Sequence, residues 1–277
     1  MIGNAVADHY TVPGLGQRIL DVLESTGKDL ADLTPSDLAP VDEFHIRGKE
    51  ATEQLAQLAV AESGIEVLDV GCGIGGSSRF LAFEYNCHVT GLDLTEEYCE
   101  VATMLSERVG LVARTEFRCA SALDMPFQNE SFDLVWTEHA QMNIRDKDAL
   151  FSEIARVLKD GGRFAFHDIF GGPGGVPHFP VPWAEDGSMS FLMDPEELRL
   201  ILQSLELRSL QWMDVTDESL EWFRQAMAQA GEQDPSPLGI HILMGDDADL
   251  KLQNLARNLA EQRIVVVQAV LEMGDEP

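Results

Sequence analysis

The sequence predicts an α/β fold in which helices cover both faces of a largely parallel sheet. From Glu66 onward, short apolar runs alternate with amphipathic helical stretches, a pattern typical of parallel strands joined by crossover helices. The first apolar run ends in a glycine-rich turn, and a helical stretch follows at once. Sheets of this kind bind ligands at the carboxyl ends of their strands, so we expect the functional site there.

The N-terminal segment, residues 1–62, is predicted to form a helical cover. Its apolar side chains recur at three-to-four-residue spacing, beginning at Leu15 and Ile19, which is the spacing of one helix face. Pro35 and Pro40 are expected to break this segment, because proline cannot donate a backbone hydrogen bond inside a helix.

Residues 63–170 are predicted to form the core of the sheet. The expected strands are Val67–Val70, His88–Leu92, Thr115–Arg118, Phe132–Thr137 and Gly162–Asp168. The expected helices are Gly76–Phe83, Glu96–Val109 and Lys147–Leu158. The Gly161-Gly162 pair after the last helix is typical of a helix C-terminus.

The last part, residues 171–277, is expected to close the sheet and to supply a lid over the substrate. It opens with a loop rich in glycine and proline, which could be either the hinge of the lid or a plain flexible connection. The elements expected beyond the loop are helices from Asp194, Asp217 and Asp247 and strands at Arg208–Val215 and Arg263–Leu271.

The chain is strongly acidic. Its 277 residues carry 19 Lys and Arg against 48 Asp and Glu, a formal net charge of −29. A field of this sign repels phosphate backbones and anionic lipids, so we expect neither nucleic acid nor a membrane as partner. The acidic residues are spread along the chain, which is typical either of a salt-adapted protein or of an ordinary acidic enzyme.

The four cysteines carry no metal-site spacing, and we expect no metal cofactor. Isolated cysteines are typical of reduced thiols, and the first ten residues lack the pattern of a signal peptide. No apolar run approaches the roughly 18 residues of a membrane span. These features predict a cytoplasmic protein.

The most informative stretch is the glycine turn after the first strand. Gly71, Gly73 and Gly76 fit a nucleotide-binding turn, and Asp93 follows Gly73 by twenty residues, where an acid can bind both ribose hydroxyls of an adenosine. Asp69 lies within the strand just before the turn. A second acid has little use beside a pyrophosphate but could receive a cationic amino group, which favours S-adenosylmethionine (SAM) over NAD.

These motifs resemble those of the class I SAM-dependent methyltransferases. Leu68–Gly73 is similar to the family's first motif, and Gly91–Asp93 to its acid-tipped second strand. Residues 120–127 resemble the segment after its third strand, although Ser121 stands where the family has an acid. The resemblance implies a Rossmann-like methyltransferase sheet that binds SAM and releases S-adenosylhomocysteine (SAH).

The resemblance also implies which residues bind the cofactor. They are Asp69, Gly71, Gly73, Asp93, Leu94, Ser121, Ala122 and Glu138.

Three further segments resemble sarcosine/dimethylglycine N-methyltransferases, which make glycine betaine. They are residues 37–48, 138–144 and 178–184. The resemblance implies N-methylation of a small amino acid, most simply sarcosine and N,N-dimethylglycine, in osmolyte synthesis.

Candidate catalytic and substrate-binding residues follow from this chemistry. His139, after the fourth strand, suits deprotonation or positioning of an amine, with Gln141 beside it. Arg47 is the candidate partner of a substrate carboxylate, although an ion pair with Glu43 is the alternative. The aromatic faces of Tyr10 and Trp183 could host a methylated ammonium.

Asn143 could hold the amine or the carboxylate by hydrogen bonds, or it could cap the next helix. Simple structural roles remain the alternative for each of these residues.

Three other functions stay open from the sequence. The chain could methylate a larger amine, a phenol or a carbon acid, and a wide apolar pocket without a carboxylate anchor would favour that reading. It could be an NAD-dependent oxidoreductase, or a catalytically silent SAM-binding protein. We expect a monomer or a homodimer.

Overall fold

The computed structural model describes residues 2–230, 237–245 and 247–274 of the chain. Seven strands in these residues form one sheet. They are β1 Glu66–Val70, β2 His88–Asp93, β3 Thr115–Cys119, β4 Phe132–Glu138, β5 Leu158–Gly171, β6 Leu207–Asp214 and β7 Ile264–Met273. Every strand lies within a few residues of its predicted position, β5 showing the largest extension.

The strand order is β3-β2-β1-β4-β5-β7-β6. Strands β1 to β5 run parallel, whereas β7 lies antiparallel between β5 and β6. The chain order reverses between β1 and β4, and this switch point opens a crevice at the carboxyl ends of the two strands. The predicted Rossmann-like α/β sheet is confirmed.

Helices pack on both faces of the sheet. They are α1 Ile2–Tyr10, α2 Leu15–Ser25, α3 Pro35–Asp42, α4 Gly48–Ala59, α5 Gly76–Glu84, α6 Glu96–Arg108, α7 Lys147–Val157, α8 Pro195–Ser204, α9 Thr216–Ala230, α10 His241–Met244 and α11 Ala248–Ala260. One 3₁₀ turn covers Gln141–Asn143. None of the helices in the described ranges is long and apolar enough to cross a membrane.

The predicted break at the two prolines is only partly correct. Pro35 occupies the first turn of α3, where its missing N–H is not needed, and Thr34 caps the helix together with Asp37. Pro40 lies inside the same short helix rather than ending it.

The N-terminal cover packs on the sheet through two apolar layers. In one layer, α2 and α3 bury Leu15, Ile19 and Leu38 against side chains that include Ile74 and Tyr98. In the other, α4 packs across β5 and β7. The cover and the C-terminal elements thus meet over the same end of the sheet.

The loop from Gly171 to Gly175 is tied to the C-terminal part by backbone hydrogen bonds. Gly172 N–H donates to the carbonyl of Arg263 at 3.0 Å, and Gly174 N–H donates to that of Gln262 at 2.8 Å. A side chain at Gly172 would collide with the Gln262 carbonyl. These glycines allow a close backbone approach of the loop to residues 262–263, and its role as a lid hinge stays a prediction.

Candidate active site

A cavity of about 690 Å³ opens at the carboxyl ends of β1, β2 and β4. Turns after four successive strands line it, since parallel strands end at the same edge of the sheet. Twelve of the fourteen residues predicted for the site line this cavity: Tyr10, Asp69, Gly71, Gly73, Asp93, Leu94, Ser121, Ala122, Glu138, His139, Asn143 and Trp183.

The glycine turn forms one wall of the cavity. Gly71 has φ +76°, and a Cβ on it would lie 2.5 Å from the Cβ of Ala140. Gly73 has φ +54°, and nothing lies within 4 Å of where its Cβ would be. Backbone geometry therefore requires glycine at both positions, and the space beside Gly73 is open to a ligand.

Asp93 holds the glycine turn in place. Its carboxylate accepts hydrogen bonds from the N–H of Gly73 at 3.0 Å and of Thr95 at 2.8 Å. A carboxylate offers about four acceptor positions, so capacity for ligand hydroxyls remains. Burial raises the pKa of Asp93.

Two more carboxyl groups are buried at the cavity wall. Asp69 accepts a hydrogen bond from Ser78 Oγ at 2.6 Å, and Glu138 accepts from Ser77 Oγ at 2.6 Å and Trp136 Nε1 at 3.0 Å. Burial raises the pKa of both groups to about 7.

Neither Asp69 nor Glu138 forms an ion pair with a lysine or arginine of the described residues. Buried carboxyls without a cation are costly unless a cation is supplied. The two groups, the open glycine turn and Asp93 together fit SAM, whose amino and sulfonium groups are positive and whose sugar carries hydroxyls.

Three histidines lie together next to Glu138. The rings of His139 and His167 stack with centroids 5.3 Å apart, and the ring of His45 lies 6.0 Å from each. Burial lowers the pKa of all three imidazoles, that of His167 to about 3. The cluster is therefore neutral near pH 7.

The N-terminal helix contacts the cavity through Tyr10. Its hydroxyl donates to Asn143 Oδ1 at 2.8 Å, and Asn143 Nδ2 in turn donates to the carbonyls of Trp183 at 2.8 Å and Met189 at 3.1 Å. Burial raises the pKa of Tyr10, which keeps the phenol protonated. Asn143 thus joins three segments, and these contacts already use its amide.

Arg47 and Gln141 do not line the cavity. Arg47 precedes α4 with φ +70° and donates to Gln54 at 2.9 Å and Glu50 at 2.8 Å, rather than pairing with Glu43. Gln141 is buried and donates through Nε2 to the carbonyl of Ile169 at 3.1 Å. The structure thus places the expected carboxylate anchor and one expected catalytic residue elsewhere.

Sequence reasoning missed the wall opposite the sheet. Met142 and Trp183 lie in this wall together with apolar side chains from three helices. The helical residues are Trp222, Phe223, Ala226 and Met227 of α9, Leu243 and Met244 of α10, and Leu252 and Leu255 of α11. These residues follow ordinary helical periodicity, so no local signal separates them from core positions. The exposed Arg145 lies at the rim and stacks over Phe191 at 4.6 Å.

His45, Glu43 and Thr52 were missed as well. His45 lies between α3 and α4, and its Nε2 lies 3.2 Å from a Glu138 carboxylate oxygen 93 residues away in sequence. The segment that contains His45 does stand out in the sequence, but its partner could not be identified without the fold. The structure describes no group of three or more metal-ligating side chains in the ranges given above.

Comparison with known proteins agrees with this geometry. Residues 68–166 match a family model described as a methyltransferase domain. This span runs from β1 into β5 and contains the glycine turn, Asp93 and Glu138.

The curated relatives that this chain matches are methyltransferases with different names. The methyltransferase GfsG of Streptomyces halstedii is 36% identical over 135 residues, which cover 49% of this chain and 48% of that protein. The glycine/sarcosine/dimethylglycine N-methyltransferase of Actinopolyspora halophila is 26% identical over 178 residues, covering 64% and 32%. This chain therefore spans about half, or less, of the length of these curated relatives.

A solved structure matches almost the whole chain. The geranyl diphosphate C-methyltransferase of Streptomyces coelicolor A3(2), determined with geranyl diphosphate and SAH, superposes with a TM-score of 0.68 at 18% identity. The match covers 99% of this chain and 98% of that one, so the fold likeness includes the cover and the C-terminal wall. At 18% identity this likeness shows the fold.

Proposed function

We propose that the chain transfers the methyl group of SAM to a small, largely apolar molecule. The observation that carries this proposal is the composition of the cavity wall opposite the glycine turn. Trp222, Phe223 and Leu255 present aromatic and aliphatic faces there, and the buried guanidinium of Arg47 lies outside the cavity. Such a wall binds an apolar skeleton through its area, and Arg145, the arginine that lines the cavity in the described residues, is exposed at the rim and stacks over Phe191.

The cavity has two unlike halves. The half beside the turns after β1, β2 and β3 contains Asp69, Gly73 and Asp93 and suits a nucleoside with a positive charge. When bound, SAM supplies an electrophilic methyl group on a sulfonium. The other half fixes the acceptor, and alignment of the two reactants can contribute roughly 7–11 kcal/mol to the lowering of the barrier.

Exclusion of water is the second contribution of the chain. Helix α1 closes one side of the cavity through Val6 and Tyr10, and α10 closes another through Leu243 and Met244. A dry site favours methyl transfer to the acceptor over loss of the methyl group to water.

N-methylation of sarcosine and dimethylglycine is the second candidate. It is favoured by the likeness to the Actinopolyspora halophila enzyme and by the carboxyl groups of Glu43 and Glu138, which could attract a substrate ammonium. The position of Arg47 counts against it, because the guanidinium that does line the cavity, that of Arg145, is exposed at the rim and stacks over Phe191.

A methyl-transfer assay with labelled SAM separates the two candidates. We expect label to pass to apolar acceptors such as 2-naphthol or decylamine, and not to glycine, sarcosine or dimethylglycine, at either low or high KCl. Label on dimethylglycine, together with a tenfold rise of its KM in Arg47→Ala, would replace the first candidate with the second. No turnover over the whole panel, with SAM bound, would leave a silent SAM-binding protein.

A matched pair of variants on α11 tests the apolar wall itself. Leu252 lines the cavity, whereas Leu250 on the same helix is 48% exposed to solvent. We expect Leu252→Ala to raise the KM for the apolar acceptor about tenfold, since a few lost methylene contacts are worth roughly 1–3 kcal/mol. Leu250→Ala should leave KM unchanged, and equal effects would contradict the placement of the acceptor.

A further inference from the structure

The histidine cluster holds a polar feature that the cofactor half of the site does not use. His45 lines the cavity, and every polar neighbour of its ring surrounds one nitrogen. Its Nε2 lies 2.9 Å from Thr52 Oγ1, 3.2 Å from the Gly48 carbonyl oxygen and 3.2 Å from Glu138 Oε1. Glu43 Oε2 lies slightly farther away, at 3.6 Å.

These neighbours determine which nitrogen carries the proton. The Gly48 carbonyl oxygen can only accept a hydrogen bond, and so can Glu138 when it is ionised, so beside an ionised Glu138 the Nε2 atom is the donor. The neutral imidazole has one N–H, and therefore Nδ1 holds the free lone pair. Nδ1 makes no hydrogen bond to any residue in the described ranges, and the ring faces the cavity.

We propose that His45 is the general base that removes the proton of the methyl acceptor, with Glu138 as its positioning residue. This inference rests on the proposed function and adds to it that the acceptor atom carries a proton that must leave. In the step, the lone pair of the acceptor bonds to the methyl carbon and the carbon–sulfur bond breaks, its electrons remaining on sulfur. The acceptor proton passes to Nδ1 of His45.

The charge distribution favours His45 over His139, the base expected from sequence. Protonated His45 would lie between the carboxyl groups of Glu138 and Glu43, which stabilise a positive imidazolium. The rings of His45 and His167 lie beside His139, no ion pair joins it to a carboxylate of the described residues, and its Nε2 is enclosed without a hydrogen-bond partner. A proton on His139 would therefore lack the two close carboxyl groups that His45 has.

The groups around the His45 ring come from several elements. Glu43 follows α3, Thr52 belongs to α4, Glu138 ends β4, His139 follows it and His167 lies in β5. Burial lowers the pKa of His45 while Glu43 opposes that shift, so the ring is neutral and ready to accept a proton near pH 7.

The tautomer can be tested without turnover. Nitrogen NMR of the full chain labelled in histidine, with SAH bound, should show His45 with its proton on Nε2 at pH 7.5. The His45 signals are those lost in His45→Gln. A proton on Nδ1 would overturn the inference whether or not an acceptor has been found, because Nδ1 could then not accept another.

Kinetics with 2-naphthol test the same base in turnover. His45→Gln should lower kcat by about 100- to 10,000-fold, the usual range for loss of a general base, and leave SAH affinity within twofold. Glu138→Gln should lower kcat less and shift the acidic limb of the pH profile. The matched control is His88→Gln, an exposed histidine at the opposite end of β2.

Two outcomes overturn the proposal. One is a kcat of His45→Gln within threefold of the parent chain. The other is a large loss in His139→Gln without one in His45→Gln. Failure of the parent chain to methylate any acceptor would count against the proposed function and leave the NMR result to decide the tautomer.

Discussion

Single residues in this chain depend on partners that are distant in sequence. Asp69 in β1 and Glu138 at the end of β4 are separated by two helices and two strands, yet both carboxyl groups lie at one cavity wall. Burial raises the pKa of each carboxyl group to about 7 and outweighs the hydrogen-bond donors, which lower it. Near neutral pH each group can therefore be protonated or ionised, depending on whether a cation is present.

SAM affinity should consequently depend on pH. Below pH 7 the two carboxyls are protonated in the free chain, whereas a bound cation favours their ionised form and lowers their pKa. Binding then releases protons, and we expect the affinity for SAM to fall as the pH is lowered from 8 to 6. Calorimetric titration in two buffers of different ionisation enthalpy measures both the affinity and the number of protons released.

The matched variant is Asp69→Asn, which removes one titrating group and keeps the shape of the side chain. Its SAM affinity should be lower at pH 8 and should vary less between pH 6 and 8. Equal pH dependence in both proteins would mean that Asp69 does not sense the ligand charge.

At the scale of elements, the N-terminal cover is joined to the sheet by a buried ion pair. Arg79 in α5 is 1% exposed and Asp42 at the end of α3 is 7% exposed, and their closest nitrogen and oxygen lie 2.5 Å apart. Arg79 also donates to the carbonyls of Ile74 at 2.8 Å and Ala102 at 3.4 Å. The pair thus positions the segment before His45 relative to the glycine turn.

Removal of the Arg79 guanidinium should lower the stability of the fold. Arg79→Met keeps most of the side-chain volume but leaves Asp42 buried without its cation, and we expect a loss of about 3–5 kcal/mol in the free energy of unfolding. Urea titration measures this change in the free energy of unfolding. The control is Arg118→Ala, whose pair with Glu116 is exposed and should contribute at most about 1 kcal/mol. Equal losses of stability in the two variants would show that burial does not make the Arg79–Asp42 pair more important than an exposed pair.

At the scale of the whole molecule, the charge of −29 acts in two ways. It attracts a cationic ligand such as SAM toward the cavity, and it destabilises the compact chain by self-repulsion. Salt weakens both effects, because the screening length falls from about 10 Å at 0.1 M to about 3 Å at 1 M.

Thermal stability should therefore rise with salt. If screening contributes about 2 kcal/mol, the midpoint of unfolding increases by roughly 4–8 °C between 0.1 and 2 M KCl, as expected for a chain of this size. Sucrose at the same osmolality serves as the control, since it is excluded from the surface without screening charge. If KCl and sucrose raise the Tm equally, charge screening adds no stability, and this result would contradict salt adaptation.

The sequence by itself determined the order and type of the elements in the sheet and which strand ends line the cavity beside the glycine turn. Hydrophobic periodicity and the turn at Gly71–Gly76 are local patterns, and parallel strands bring their carboxyl ends together wherever they occur. Asp93, Ser121 and Glu138 could therefore be assigned to one cavity before any coordinates were known.

Only the tertiary structure decided what faces the cofactor half. The apolar wall comes from helices whose sequence patterns look like those of ordinary core helices, and the pairing of His45 with Glu138 joins the cover to the fourth strand. Arg47 was expected in the cavity, but its backbone conformation at the start of α4 directs it to Glu50 instead. Long-range packing sets side-chain direction and the approach of distant segments, and neither is encoded in the spacing of neighbouring residues.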